Sequence, residues 1–417
     1  MRKKYLVMGL MIAVLPLRAQ RMDTAYQAKR VARTEVQVLY AHYVQDGVHS
    51  AVTGGTGTEK LAVYSPELVI RHQPDSSHAF QLEGGVDVIT SASTDKIDFV
   101  VSSASRKDGR THANIGYTYQ TRSHRMEFGG NTGFSIESDY FSLGGGLSAS
   151  YTRPDQSRSL SVEVQGYSDD LRWGRLNPGY HRPVKLIYPQ ELRTQEWYPT
   201  TRRHSLNLSL SLYQTINKRM ALGLYPGITW QQGLLATPFH RVYFADQTTL
   251  KVENLPGTRL KIPLGVQLNV FPGRIWILRA GYRLYWDDFG IWAHTFSLTT
   301  PIKLTPSLTL TPHVRVYTQT AARYFRPYQA HDPASEYYTS DYDLSAFTSW
   351  QAGAGGRWLL AGRLPMLPAL HDLQWRYSYY HRADGLHAHM VSLIIGYATE
   401  KTKTRRTTPF IQSAPHP

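Results

Sequence analysis

Residues 261–319 read KIPLGVQLNVFPGRIWILRAGYRLYWDDFGIWAHTFSLTTPIKLTPSLTLTPHVRVYTQ, in which apolar and polar residues alternate and only Phe-Pro-Gly-Arg, Asp-Asp-Phe-Gly and Lys-Leu-Thr-Pro interrupt the rhythm. A period of two puts successive side chains on opposite faces, so these runs are consecutive antiparallel strands joined by hairpins. Their length is the tighter constraint. A strand in a soluble sandwich is most often about five or six residues long, whereas a strand tilted across a bilayer needs about 9–11, and these runs have about ten to fourteen. Aromatic residues at the strand ends, Tyr285, Trp286, Phe289 and Trp292, stand where a membrane barrel carries its aromatic girdle. A large soluble β-protein is the alternative, and a shared strand length over most of the chain tells against it.

The N-terminus agrees. Arg2, Lys3 and Lys4 precede an apolar segment at 6–17, and Ala19 precedes Gln20. This pattern predicts a secretory signal over residues 1–19. The apolar segment is too short to span a bilayer as a helix, and no later one offers eighteen uninterrupted apolar residues. An exported chain of long alternating strands is expected in the cell outer membrane. With no cysteine among 417 residues, disulfides, thiol chemistry and lipidation through cysteine are excluded, so the barrel surface itself must hold the protein in lipid.

Read in order, the chain predicts an all-β fold, a transmembrane antiparallel β-barrel with sixteen strands; fourteen and eighteen stay open as counts. The strands fall near 33–43, 60–73, 79–91, 110–121, 125–136, 141–152, 157–168, 203–214, 219–230, 259–271, 274–286, 291–302, 307–318, 348–359, 370–381 and 386–399. One domain at 33–399 is preceded by a periplasmic lead at 20–32 and followed by a basic periplasmic tail at 400–417. If the first strand rises from the periplasm, the external loops include 44–59, 92–109, 169–202, 231–258 and 319–347. The opposite connections are short, apart from 360–369. That asymmetry is expected of an outer-membrane barrel, and it is independent of the alternation that marks the strands.

Several stretches also carry a family likeness: residues 42–53 with Glu59, Arg71-His72-Gln73-Pro74-Asp75, and residues 87–106, 169–178, 237–244 and 319–344. Together they resemble an uncharacterised outer-membrane β-barrel family of Bacteroidota, known by a domain-of-unknown-function label. The resemblance implies the location and the fold, and brings no catalytic or binding residues.

The residues exclude several functions. The net charge of +15 falls to about +7 once Arg2, Lys3, Lys4 and Arg18 of the signal and Lys401, Lys403, Arg405 and Arg406 of the tail are set aside. The remainder is scattered without a recognition helix or zinc pattern, so no nucleic acid is expected. There is no G-x-S-x-G elbow and no H-E-x-x-H, so no enzyme and no cofactor are expected. The chemistry concentrates in the long loops. Asp169, Asp170, Arg172 and Arg175 lie beyond one strand end, and Arg323, Arg326, Asp341 and Asp343 lie in another loop. Opposed guanidinium and carboxylate groups there predict a charged constriction, a solute-recognition surface or a brace between loops. Asp332, Glu336, Asp341 and Asp343 could instead hold calcium, with ion pairing to Arg323, Arg326 or the arginines of 169–202 the stronger expectation. The expected function is a channel for a small polar or anionic solute. The alternative is a membrane scaffold whose loops dock an envelope lipoprotein, carbohydrate or protein. Outer-membrane lipid and, during insertion, the barrel-assembly machinery are the other expected partners.

Overall fold

The computed structural model describes residues 30–91, 108–137, 140–171, 199–237, 240–360 and 367–403. The expected signal, most of the lead and of the tail, the loop 92–107, and Arg172 and Arg175 lie outside the described residues. Sixteen antiparallel strands close into a barrel: β1 (Arg30–Asp46), β2 (Leu61–Gln73), β3 (His78–Ser91), β4 (Asp108–Gln120), β5 (Met126–Ile136), β6 (Phe141–Thr152), β7 (Arg158–Asp170) and β8 (Arg202–Asn217). Next come β9 (Met220–Gly233), β10 (Thr258–Val270), β11 (Leu278–Asp287), β12 (Trp292–Thr299, resumed at Ile302–Lys303), β13 (Leu308–Gln319), β14 (Phe347–Leu359), β15 (Leu370–Arg382) and β16 (His387–Lys403). β12 is interrupted at Pro301, which has no N–H to give the ladder.

Closure is made by β1 on β16, in register from Arg30 with Lys403 to Asp46 with His387. Both end strands therefore run past the bounds read from alternation, and Lys401 and Lys403 belong to the wall. A backbone ladder continues wherever two strands lie side by side, whatever their side chains do, and Arg33 pairs there with Glu35 and Glu400.

Register separates two faces. Val38 lies opposite Leu68 and Ile395, Phe80 opposite Tyr117, Val164 opposite Leu147 and Leu208, and Val316 opposite Phe296 and Trp350. This face is the outer one: Leu147 is 73% and Ile115 61% exposed. The alternate residues, rich in Ser, Thr, Asn, Gln, Gly and charge, face the lumen. The pleat also corrects the expected girdle. Trp286 and Trp292 pair on the outer face with ring centroids 6.3 Å apart, but Tyr285, their neighbour by one residue, turns inward, and Phe289 is 1% exposed beneath the Arg259 guanidinium.

Candidate functional site

With sixteen strands, the connection after β1 and the connection after β9 start half a circumference apart. They nevertheless meet. A Cβ added to Gly54 in the 47–60 loop would lie 2.5 Å from the Tyr243 ring in the 234–257 loop, and the φ of +80° at that position also favours glycine. The third loop, 320–346, joins them. Phe244 bridges His331 and Asn254 bridges Tyr338, while the His49 ring stacks on Tyr342 with centroids 3.8 Å apart. Below these contacts Leu234, Leu255, Phe289, Ile291, Ala322 and Phe325 form an apolar cluster that packs on Ala293, Tyr285 and Tyr317. The last three are inward residues of the wall, so the loops dip into the mouth and cross it.

A buried charge cluster pins two of these loops. Glu253, 2% exposed, accepts hydrogen bonds from the Thr237 N–H at 2.6 Å and from the Thr339 hydroxyl. The His240 Nδ1 lies 3.5 Å from Glu253 and 3.7 Å from Asp341. Burial is the largest influence on His240 and acts to lower its pKa, but Glu253, Asp341 and Asp343 carry it up to about 9. Burial likewise acts to raise Glu253, and His240 with the hydrogen bonds from Thr339 and Thr237 brings it below the usual carboxylate value. Burial, then the charges of Asp343 and Glu253, pushes Asp341 up to about 6 against the pull of His240.

The His240 contribution is complete below about 6.5, the value for a free histidine, and is lost as pH rises through about 9. Hydrogen exchange in the loop hairpin Arg241–Tyr243 and Leu250–Val252, corrected for intrinsic rate, should lose roughly tenfold in protection between pH 7 and pH 10, as expected for one charged contact of about 1.5 kcal/mol. Equal protection at both pH values would show that the charge on His240 does not hold the loops.

The lumen beneath is unevenly charged. Arg279 and Arg283 of β11, Arg315 of β13 and Arg376 of β15 lie in inward rows and, among the described residues, make neither a hydrogen bond nor an ion pair. Three further inward cations are held, Arg259 by Asp287, Arg357 by Asp372 at 3.0 Å, and Arg382 by Asp343 and Asp384, while Lys261 of β10 and Arg71 of β2, also in inward rows, are in no ion pair among the described residues. A cavity of about 700 Å³ is lined by Arg279, His313, Arg357, Gln374 and Arg376. Another of about 470 Å³ is lined by Glu83, Arg110, His112 and Gln165.

The residues singled out in the loops do other work. Asp169 is buried, 2.7 Å from Arg203, and accepts from the Tyr140 hydroxyl at 3.0 Å. Asp170 is buried beside it, in register with Arg202 and Phe141. Arg323 donates to the Asp288 carbonyl, and Arg326 donates to the Phe325 carbonyl at 2.6 Å. The expected pairing of these arginines with Asp341 and Asp343 is therefore corrected. The chain carries both guanidinium groups onto backbone oxygens, leaving Asp341 to His240 and Asp343 to Arg382. Nor are the four calcium candidates together: Asp332 accepts from the Ala334 N–H at 2.9 Å, and Glu336 is exposed. Among the described residues the groupings with metal-ligand spacing are His240, Glu253 and Asp341, and Glu67, Glu83 and His112. The lumen arginines were missed in the sequence although the signal was present, since Arg279 and Arg283 alternate with the apolar Ala280, Tyr282 and Leu284.

A closed sixteen-strand barrel with an apolar exterior and a charged interior is a porin-like fold. The chain matches, over residues 21–391, the family described as Protein of unknown function (DUF3570), and it belongs to that family. No curated protein matches it by sequence. Among solved structures it is similar to a bacterial polysaccharide outer membrane secretin, with 9% identity and a TM-score of 0.48 over 89% of this chain and 99% of that one. It is also similar to a BenF-like porin from Pseudomonas fluorescens Pf-5, with 8% identity and a TM-score of 0.43 over 88% and 99%. A third is OccK2 (OpdF) from Pseudomonas aeruginosa in complex with glucuronate, with 10% identity and a TM-score of 0.41 over 88% and 98%.

Proposed function

We propose that the protein is an outer-membrane channel for small anionic solutes, with its long loops outside the cell. The observation that carries this reading is the set of unpaired lumen arginines, Arg279, Arg283, Arg315 and Arg376. Four cations without an ion-pair partner along β11, β13 and β15 raise the local concentration of anions beside that wall. The outward apolar rows support placement in a bilayer, and the basic-then-apolar start of the chain supports export. The crossed mouth favours a second reading, in which the upper surface of the loops docks an envelope lipoprotein, carbohydrate or protein. Single-channel recording of the purified barrel in a planar bilayer separates the two: anion-preferring openings support the channel, whereas a folded, electrically silent barrel that co-purifies with an envelope partner supports docking.

A further inference from the structure

The free arginines have counterparts on the opposite wall. In a sixteen-strand barrel β3 faces β11, β7 faces β15 and β2 faces β10, since each pair is eight strands apart. Glu83 stands five residues after the start of β3 and Arg283 five after the start of β11. Glu163 stands five after the start of β7 and Arg376 six after the start of β15. All four strands rise from the short-turn end, and each of these charges stands five or six residues along its strand. Glu67 on β2 joins the acidic side, its carboxylate within 4.8 Å of Glu83 and His112, and Arg315 on β13 joins the basic side. Among the described residues neither Glu67 nor Glu83 is in an ion pair, and Glu163 accepts a hydrogen bond from Gln165 at 2.6 Å. Asp87, further up the same face of β3, is matched by Arg110 at 3.3 Å.

We infer that these opposed walls make the lumen selective for small solutes that carry both a cationic and an anionic group, turned by the field between the walls as they pass. The inference rests on the channel reading. An anion between the walls is drawn to β11, β13 and β15 and repelled by β2, β3 and β7, so the two walls partly cancel for it. A zwitterion turned with its carboxylate toward Arg283 and Arg376 and its ammonium toward Glu83 and Glu163 gains on both sides. A neutral solute gains on neither. Salt screens charges over about 8 Å at physiological strength, so the preference is a several-fold matter and strengthens at low salt.

The test uses the full chain in liposomes at low salt, with influx measured for β-alanine, for a neutral amide of equal size and for propionate. β-Alanine should enter several-fold faster than the amide. In the triple variant Glu67→Gln, Glu83→Gln, Glu163→Gln that advantage should vanish while propionate influx rises. The corresponding Glu→Asp triple, which keeps the charge, should retain the advantage, separating loss of charge from damage to the wall. Equal influx of β-alanine and the amide through the native barrel, with propionate still favoured, would overturn the inference and leave the channel standing. Liposomes sealed to all three solutes would overturn the channel reading and the inference with it.

Discussion

Exchanging Arg279, Arg283, Arg315 and Arg376 together for glutamine should turn an anion-preferring barrel into a cation-preferring one. These four are lumen cations without a partner among the described residues, and they lie on β11, β13 and β15, whereas Arg259, Arg357 and Arg382 are each neutralised by an adjacent carboxylate. Once they are gone, Lys261 and Arg71 remain against Glu67, Glu83 and Glu163, and the sign of the field in the middle of the lumen reverses. A charged cleft commonly changes local ion concentration by about tenfold or more, so the reversal potential in a KCl gradient should change sign and not merely shrink. The barrel should still fold, because among the described residues none of the four holds another by a hydrogen bond. A folded variant whose reversal potential keeps its sign would mean that ions take no path along β11, β13 and β15.

Asp287→Ala should be the most destabilising single change at the mouth. Asp287 is 0% exposed. It accepts from Arg259 Nε at 3.0 Å and from a second guanidinium nitrogen, from the Tyr285 hydroxyl at 2.8 Å, and from the Ile291 N–H at 3.0 Å. Removing it strands a largely buried guanidinium and a buried backbone donor, and breaking a buried pair from one side costs about 3–5 kcal/mol. The same guanidinium lies 4.4 Å from the Phe289 ring centroid, so the apolar cluster under the loops should loosen with it. The denaturant midpoint for loss of the heat-modifiable form should fall sharply, and Asp287→Asn, which keeps some hydrogen bonding, should fall less. A midpoint within experimental error of the native one would show that the Arg259 pair is not what anchors this end.

The barrel was legible because its signal is local. Ten or more alternating residues between turn signals can be counted along the chain, and each strand needs only its neighbour to be recognised. The face of each residue was legible too, in principle: Tyr285 and Trp286 cannot both meet lipid, and Arg279 and Arg283 share the inward parity of Tyr285. The ends were less readable, because β1 and β16 pair through backbone where Lys401 and Lys403 break the alternation. The loop site was not legible. His240, Glu253 and Asp341 come from two loops separated by four strands, and nothing near Asp341 in the chain distinguishes His240 from Arg323 as its partner. Loop geometry decides that choice, and it is set by contacts such as Phe244 with His331 that have no sequence period.

The most direct measurement is single-channel recording of the variant His49→Cys, Tyr342→Cys, which is feasible because the native chain has no cysteine. The two rings stack across two of the loops that cross the mouth, so a short bis-methanethiosulfonate reagent should tie the 47–60 loop to the 320–346 loop. Before tethering, the barrel should show anion-preferring openings; after tethering these should cease, and dithiothreitol should restore them. Openings unchanged by a tether verified by mass spectrometry would contradict a passage that runs past the crossed mouth, and silence in both states would contradict the channel itself.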